Sequence, residues 1–294
     1  MLKGSFVALV TPMLEDGTID WQALHHLVHW HIAQGTDALV IAGTTGESAT
    51  LRVDEHCALI EAVIKIANKR VAVIAGTGAN ATSEAIELTR SAAQLGADAC
   101  LLVAPYYNKP TQEGLYRHYK AIAEAVAIPQ ILYNVPGRTA CDITPETVRK
   151  LATIDHITGI KEATGNLQRV KTILASCPDD FAVYSGDDFT AVDFMLLGGH
   201  GTISVTANVL PAKMAALTKM ALAGDQEQAQ MMQKELMPLH QALFLESNPI
   251  PVKWVMSYLG HIQPYLRLPM TPLDHNLQPQ VKQVLTRLGI KPIL

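Results

Sequence analysis

Eight times in succession a short apolar run rich in branched residues gives way to a longer stretch with helical spacing. The runs are SFVALVTP (5–12), DALVIAGTT (37–45), VAVIAGTG (71–78), ACLLVAPYY (99–107), PQILYNVP (129–136), ITGIKEAT (157–164), FAVYSGDD (181–188) and GTISVTAN (201–208). They are nearly continuous rather than alternating, the pattern of parallel strands covered on both faces. The stretches between them carry helix punctuation. WQALHHLVHWHIAQG ends on a glycine; TSEAIELTRSAAQLGA opens on a Ser/Thr cap signal and closes at Gly96; TQEGLYRHYKAIAEAVA and TPETVRKLA open on caps of the same kind. Eight such units with right-handed crossovers predict an α/β fold, a (β/α)8 TIM barrel; an open doubly wound sheet usually has fewer strands. After Gly224 the strands stop and three helical stretches follow. The expectation is a catalytic barrel domain over 1–224 and a C-terminal helical extension over 225–294, lying beside the barrel as a cover or an oligomer contact.

Composition narrows the partners. Hydrophobic residues make up 49% and charged residues 17% of the 294, so the chain has the material for a large core and is not disordered. The formal net charge of -4, with no basic stripe, argues against nucleic acid. The N-terminal run FVALV stops at Thr11-Pro12, too short for a signal or membrane-spanning segment. Cys57, Cys100, Cys141 and Cys177 stand far apart, which fits reduced thiols in a cytoplasmic protein better than disulfides or a zinc site.

In a (β/α)8 barrel, chemistry sits at the C-terminal ends of the strands. Reading only those ends leaves a short list: Thr11, the turn Gly43-Thr44-Thr45-Gly46-Glu47, Thr77, Tyr106 and Tyr107, Tyr133 with Arg138 beyond it, Lys161-Glu162, Ser185-Gly186-Asp187, and Ser204 to Thr206. Lys161 is the only lysine among them. Its plain reading is an ion pair with Glu162 or Asp187. The chemical reading is a Schiff-base nucleophile. An amine with a reference pKa of about 10.4 is only about 0.04% neutral at pH 7. Burial disfavours the ammonium, a cost that makes sense where the neutral amine attacks a carbonyl. Such chemistry moves protons, and Tyr133, ending the neighbouring strand, is placed to shuttle them; its plain reading is a wall aromatic. Thr44 and Thr45 sit in a glycine-flanked turn whose hydroxyls and N–H groups suit a carboxylate. Arg138 offers a planar fork for a second one. A phosphorylated substrate fits poorly, because Asp187 and Asp188 follow the seventh strand, where barrel phosphate sites usually lie.

Two further motifs weigh against themselves. GTGANA (76–81) matches a dinucleotide fingerprint, but the next strand ends in Ala104-Pro105-Tyr106 without the required acid. His25 and His29 have metal-ligand spacing but no acidic or thiolate companion, and read as surface or packing histidines on an outer helix.

Taken together, VALVTPM, GTTGESATL, VIAGTGAN, PYYNKPTQEGLY, ILYNVPGRT, GIKEATGN, SGDD, GGHGTISVTANV, NPIPVKW and LRLPMTPL closely resemble the dihydrodipicolinate synthase family, end to end. The resemblance implies condensation of pyruvate with L-aspartate 4-semialdehyde in the lysine and diaminopimelate pathway, without metal or organic cofactor. It implies that Lys161 forms the imine, that Thr45 holds the pyruvate carboxylate, and that Gly186 and Ile203 contribute to the same site. Tyr133, Thr44 and Tyr107 would relay protons, Tyr107 entering from a neighbouring subunit of a homotetramer built as a dimer of dimers. Arg138 would bind the semialdehyde carboxylate. L-Lysine inhibits many relatives, and the matching positions are Ser48, Ala49, His56, Asn80, Glu84 and Tyr106. Val53 departs from the histidine that lysine-sensitive relatives tend to carry. Losing one polar partner costs about 0.5–1.5 kcal/mol, so weakened inhibition is expected. Pyruvate lyases acting on N-acetylneuraminate or 2-keto-3-deoxy sugar acids would use Lys161, Tyr133 and GTTGE equally well, but have less need of Arg138. A non-catalytic binding barrel would form no covalent adduct.

Overall fold

The computed structural model describes residues 1–293. Eight parallel strands close on themselves in sequence order: Gly4–Ala8 (β1), Ala38–Ile41 (β2), Ala72–Gly76 (β3), Ala99–Val103 (β4), Gln130–Asn134 (β5), Ile157–Glu162 (β6), Ala182–Ser185 (β7) and Gly201–Ser204 (β8). Closure is visible at Phe6, which is in register with Ala38 on one side and Ile203 on the other. Phe6, Val40, Ile74, Leu101, Ile131, Tyr133, Tyr184 and Ile203 point inward and fill the barrel, so its centre is a packed core. The apolar residues of the opposite parity, such as Val7, Leu39, Leu102 and Leu132, meet the helices outside.

The helical layer runs Trp21–Ala33 (α1), Val53–Ala67 (α2), Thr82–Leu95 (α3), Gln112–Ala125 (α4), Pro136–Thr139 (α5), Pro145–Leu151 (α6), Leu167–Ser176 (α7), Ala191–Leu196 (α8) and Pro211–Leu222 (α9). The one-turn helix α5, which carries Arg138, is an insertion that the eightfold alternation did not predict. Thr111 caps α4 and Thr144 caps α6 as expected, each hydroxyl accepting a backbone N–H. At α3 the expected cap fails. Thr82 is already helical and its hydroxyl bonds the His118 Nδ1 at 2.9 Å, leaving Ala81 at the cap. Gly96 does end that helix, with φ at 92°.

All but the first run were expected to start at or before the observed strand, and every run extends past the observed strand end. The run predicted to residue 45 stops as a strand at Ile41, because Ala42 takes a left-handed φ of 53° and turns the chain. The surplus residues are the βα loops, where the chemistry is expected.

Beyond α9 come Gln226–Ala242 (α10), Ile250–Tyr258 (α11) and Gln278–Arg287 (α12). Leu236, Leu239, Leu243, Val252, Val255 and Met256 share one apolar cluster with Val7, Leu9 and Met13 of the barrel. These helices are packed against the barrel as intimately as its own outer layer. Among the described residues no helix is long and apolar enough to cross a membrane.

Candidate active site

Lys161 lies on β6, 6% exposed, directly in register with Tyr133 on β5. Its Nζ stands 4.2 Å from the centroid of the Tyr133 ring. The two expected ion-pair partners are engaged elsewhere. Glu162 pairs with Arg169 at 2.8 Å, and the Asp187 carboxylate accepts from Thr190 at 2.7 Å; among the described residues neither bridges to Lys161. Burial raises the Asp187 carboxyl above its ordinary range, the Thr190 hydrogen bond opposing and Asp188 reinforcing that shift. A buried charge without a partner is costly, and Lys161 has no carboxylate partner among the described residues, so a stability argument alone does not explain it.

Gly186 follows the end of β7 and makes room for that side chain. A Cβ there would lie 2.8 Å from Lys161 Cε and 2.7 Å from the Ala163 Cβ. The strand-end glycine therefore fixes where the lysine can run. Ile203 of β8 is 1% exposed and belongs to the barrel filling.

The turn after β2 is held from several sides. Ser48 N–H donates to the Gly43 carbonyl at 3.2 Å, and the Thr11 hydroxyl donates to the Gly46 carbonyl at 2.7 Å. Thr44 remains half-buried beside a cleft of about 270 Å³, which it lines with Ser48, Ala49, Tyr106, Val135 and Arg138. The cleft also touches Val103, the register partner of Tyr133. Thr45 is 3% exposed, and its hydroxyl accepts from Asn248 Nδ2 at 3.0 Å. Arg138 donates through Nη2 to the Asn248 carbonyl at 3.1 Å, leaving the rest of its fork free of protein partners among the described residues. Tyr107 is 89% exposed, with a left-handed φ of 73°, and borders a hollow with Tyr106 and Arg138 beside the cleft rather than the cleft itself.

The discarded motifs find structural reasons. A Cβ on Gly76 would meet the Ala42 carbonyl oxygen at 2.3 Å, and one on Gly78 the Val103 nitrogen at the same distance. Close approach of neighbouring strand ends thus accounts for the glycines of GTGANA. His25 and His29 lie ring to ring at 4.5 Å on α1, away from the mouth. Among the described residues there is no cluster of three or more His, Cys, Asp or Glu side chains suited to a metal.

The dihydrodipicolinate synthetase family profile matches residues 1–288. This chain belongs to that family. It is 59% identical over 290 residues to the 4-hydroxy-tetrahydrodipicolinate synthase of Alcanivorax borkumensis, covering 99% of each chain. It is 58% identical to that of Teredinibacter turnerae, over 98% of this chain and 99% of the other. The crystal structure of the chloride-inhibited dihydrodipicolinate synthase of Acinetobacter baumannii, complexed with pyruvate, superposes with a TM-score of 0.98 at 54% identity, covering 99% of this chain and 100% of that one. The enzyme from Cyanidioschyzon merolae with lysine bound gives 0.95 at 39% identity, over 98% and 99%.

Within this family member, the reading of strand ends missed the C-terminal contribution. Asn248, just before α11, bridges Thr45 and Arg138, the two groups expected to read the two carboxylates. Lys253, one turn into α11 and fully buried, forms an ion pair with Glu47 of the GTTGE turn, whose other oxygen accepts the Arg267 N–H at 3.1 Å. Burial lowers the Lys253 ammonium, against the Glu47 carboxylate that holds it up. NPIPVKW was visible as a motif, but its partner lies 206 residues earlier, beyond the reach of spacing.

The positions expected for lysine divide. Ser48, Ala49 and Tyr106 border the cleft. Asn80 donates to the Tyr106 carbonyl at 3.3 Å, and Glu84 is exposed nearby, where with burial it raises the Tyr106 phenol. His56 is buried beneath them, its Nε2 donating to the Gly76 carbonyl at 2.7 Å. Val53 is 58% exposed.

Proposed function

We propose that this chain is a cytoplasmic enzyme that condenses pyruvate with L-aspartate 4-semialdehyde, the reaction of a 4-hydroxy-tetrahydrodipicolinate synthase. The observation that carries the reading is Lys161: a buried amine without a carboxylate partner among the described residues, against the ring of Tyr133, whose register partner Val103 lines the cleft bordered by Thr44 and Arg138. The neutral amine attacks the pyruvate keto carbon to give a carbinolamine. Loss of water leaves the imine, and loss of a methyl proton leaves the enamine. The enamine carbon then bonds to the aldehyde carbon of the second substrate, whose oxygen takes up a proton. The amine of that substrate displaces Lys161 at the imine carbon, closing the ring and freeing the enzyme. Thr44, Tyr133 and a Tyr107 donated by a neighbouring copy serve as the proton relay. The Thr44-Thr45 turn holds the pyruvate carboxylate, beside Gly186 and Ile203, and Arg138 holds that of the semialdehyde. The exposure of Tyr107 supports an obligate partner copy, within a homotetramer.

Borohydride treatment in the presence of pyruvate, followed by peptide mapping, is expected to place the adduct on the Lys161 peptide; an adduct elsewhere sinks the mechanism. Turnover with aspartate semialdehyde but not with N-acetylmannosamine separates this reading from the sugar-acid lyases.

L-Lysine is proposed to inhibit at Ser48, Ala49, His56, Asn80, Glu84 and Tyr106, more weakly than in relatives with a histidine in place of Val53. Glu84→Ala should raise the inhibition constant several-fold, and an unchanged constant would remove this site.

A further inference from the structure

Tyr133 and Lys161 are followed by Asn134 and Glu162, which are also in register with each other. Side chains alternate across a strand, so this second pair points out of the barrel, towards α7. There it enters a closed network. Glu162 is 1% exposed; its carboxylate accepts from Arg169 Nε at 2.8 Å, from the Thr164 N–H at 3.0 Å and from Asn134 Nδ2 at 3.1 Å. Asn134 also donates to Asp142 at 2.8 Å and accepts from the Ile143 N–H at 3.0 Å. Arg169 reaches Asp142 through Nη1 at 2.9 Å and the Ile143 carbonyl through Nη2. Arg169 is itself fixed in the first turn of α7, where the Asn166 side chain accepts its N–H at 3.2 Å.

We propose that Asn134, Glu162 and Arg169 are positioning residues: from outside the barrel wall they lock the two strand ends whose inner faces carry Tyr133 and Lys161. It rests on the reading of Lys161 as the nucleophile. Stability alone does not call for charges here, since well-packed apolar groups often stabilise as much as a buried ion pair or more. Register does. The pairing of β5 with β6 already shifts once, at Gln130/Ile131, and a slip of one residue turns every side chain to the other face. Such a slip would carry Glu162 into the mouth and Lys161 into the helical layer. The Arg169 fork is satisfied in one register only, so the network penalises the wrong one at the point where the ladder ends and strands are most free to fray.

The test compares the wild type with Glu162→Gln/Arg169→Met, which removes both charges together and so leaves neither buried alone, and with Arg169→Lys, which keeps the charge without the fork. The rate at which the Lys161 peptide acquires a borohydride-fixed adduct is measured with two probes. Formaldehyde asks only whether the amine is aimed into the mouth, and pyruvate asks in addition whether the proposed substrate is right. With formaldehyde, the double variant is expected to label about 10- to 100-fold more slowly than wild type at a melting temperature within a few degrees of it, and Arg169→Lys to fall between. With pyruvate, the maximal rate should fall likewise while the half-saturating concentration stays within about twofold, because the carboxylate turn after β2 is untouched. Formaldehyde labelling of Lys161 at the wild-type rate in either folded variant overturns the proposal, as does a loss of rate that merely tracks the loss of folded protein. Wild-type labelling by formaldehyde but not by pyruvate refutes the substrate reading instead, and the formaldehyde rates still decide the network.

Discussion

At the residue scale the site depends on two kinds of position. Lys161 and Tyr133 supply reactive atoms; Gly186 supplies space. A methyl group at Gly186 would lie inside the contact distance of both Lys161 Cε and Ala163 Cβ. The Lys161 chain can swing aside, but the Ala163 Cβ is fixed to the backbone and yields only if the ends of β6 and β7 shift. Displacing a reacting group by about 1 Å can cost about a hundredfold. Gly186→Ala is therefore expected to lower the melting temperature and, in the protein that remains folded, to capture pyruvate about 100-fold more slowly; capture at the wild-type rate would show that the lysine does not depend on this gap. The sequence told which residues stand at strand ends, because parity and order are written in the apolar runs. That Gly186 is required by the side chain of Lys161 was hidden, since the clash arises between neighbouring strands.

At the scale of elements, the eight strands and their order were legible because each βα unit carries its own period and its own stop. The strand ends were not. GTT, PYY and GDD are apolar or small enough to continue a strand pattern, yet the chain leaves the barrel before them, at Ala42 through a left-handed turn. The insertion of α5 was unreadable for a related reason: PGRT is a single turn, too short for any period, although it decides where Arg138 stands. The C-terminal helices were legible as helices, but not the particular contacts they bring. Periodicity showed that each had an apolar face, but not that Asn248, just before α11, reaches Thr45 and Arg138 and borders the cleft.

At the scale of the whole molecule, the histidines set a limit on acid tolerance. Burial holds His31 down at about 3 and His118 and His261 at about 4, the neighbouring imidazoles of His261 and His26 adding to the effect at His31 and His261 respectively. Unfolded, each titrates near 6.5. Their folded values are depressed, so their contribution is complete above about pH 6.5 and is lost as pH falls from there towards 4, the unfolded chain binding the extra protons. At pH 5 each withholds up to about 2 kcal/mol, at 1.36 kcal/mol per unit. Melting temperature should begin to fall near pH 6.5, above the range where carboxylates titrate; a flat profile from pH 7 to 5 would refute this. The buried Lys253–Glu47 pair bears on the history of the chain. Barrel enzymes diversify by exchanging the loops on top of a fixed scaffold. Here the loop after β2 is anchored by a charge from the last quarter of the sequence, and neither charge is tolerable alone. A lineage carrying this bond cannot trade its tail or that loop separately: they are inherited as one piece, and recombination between them would pass on neither.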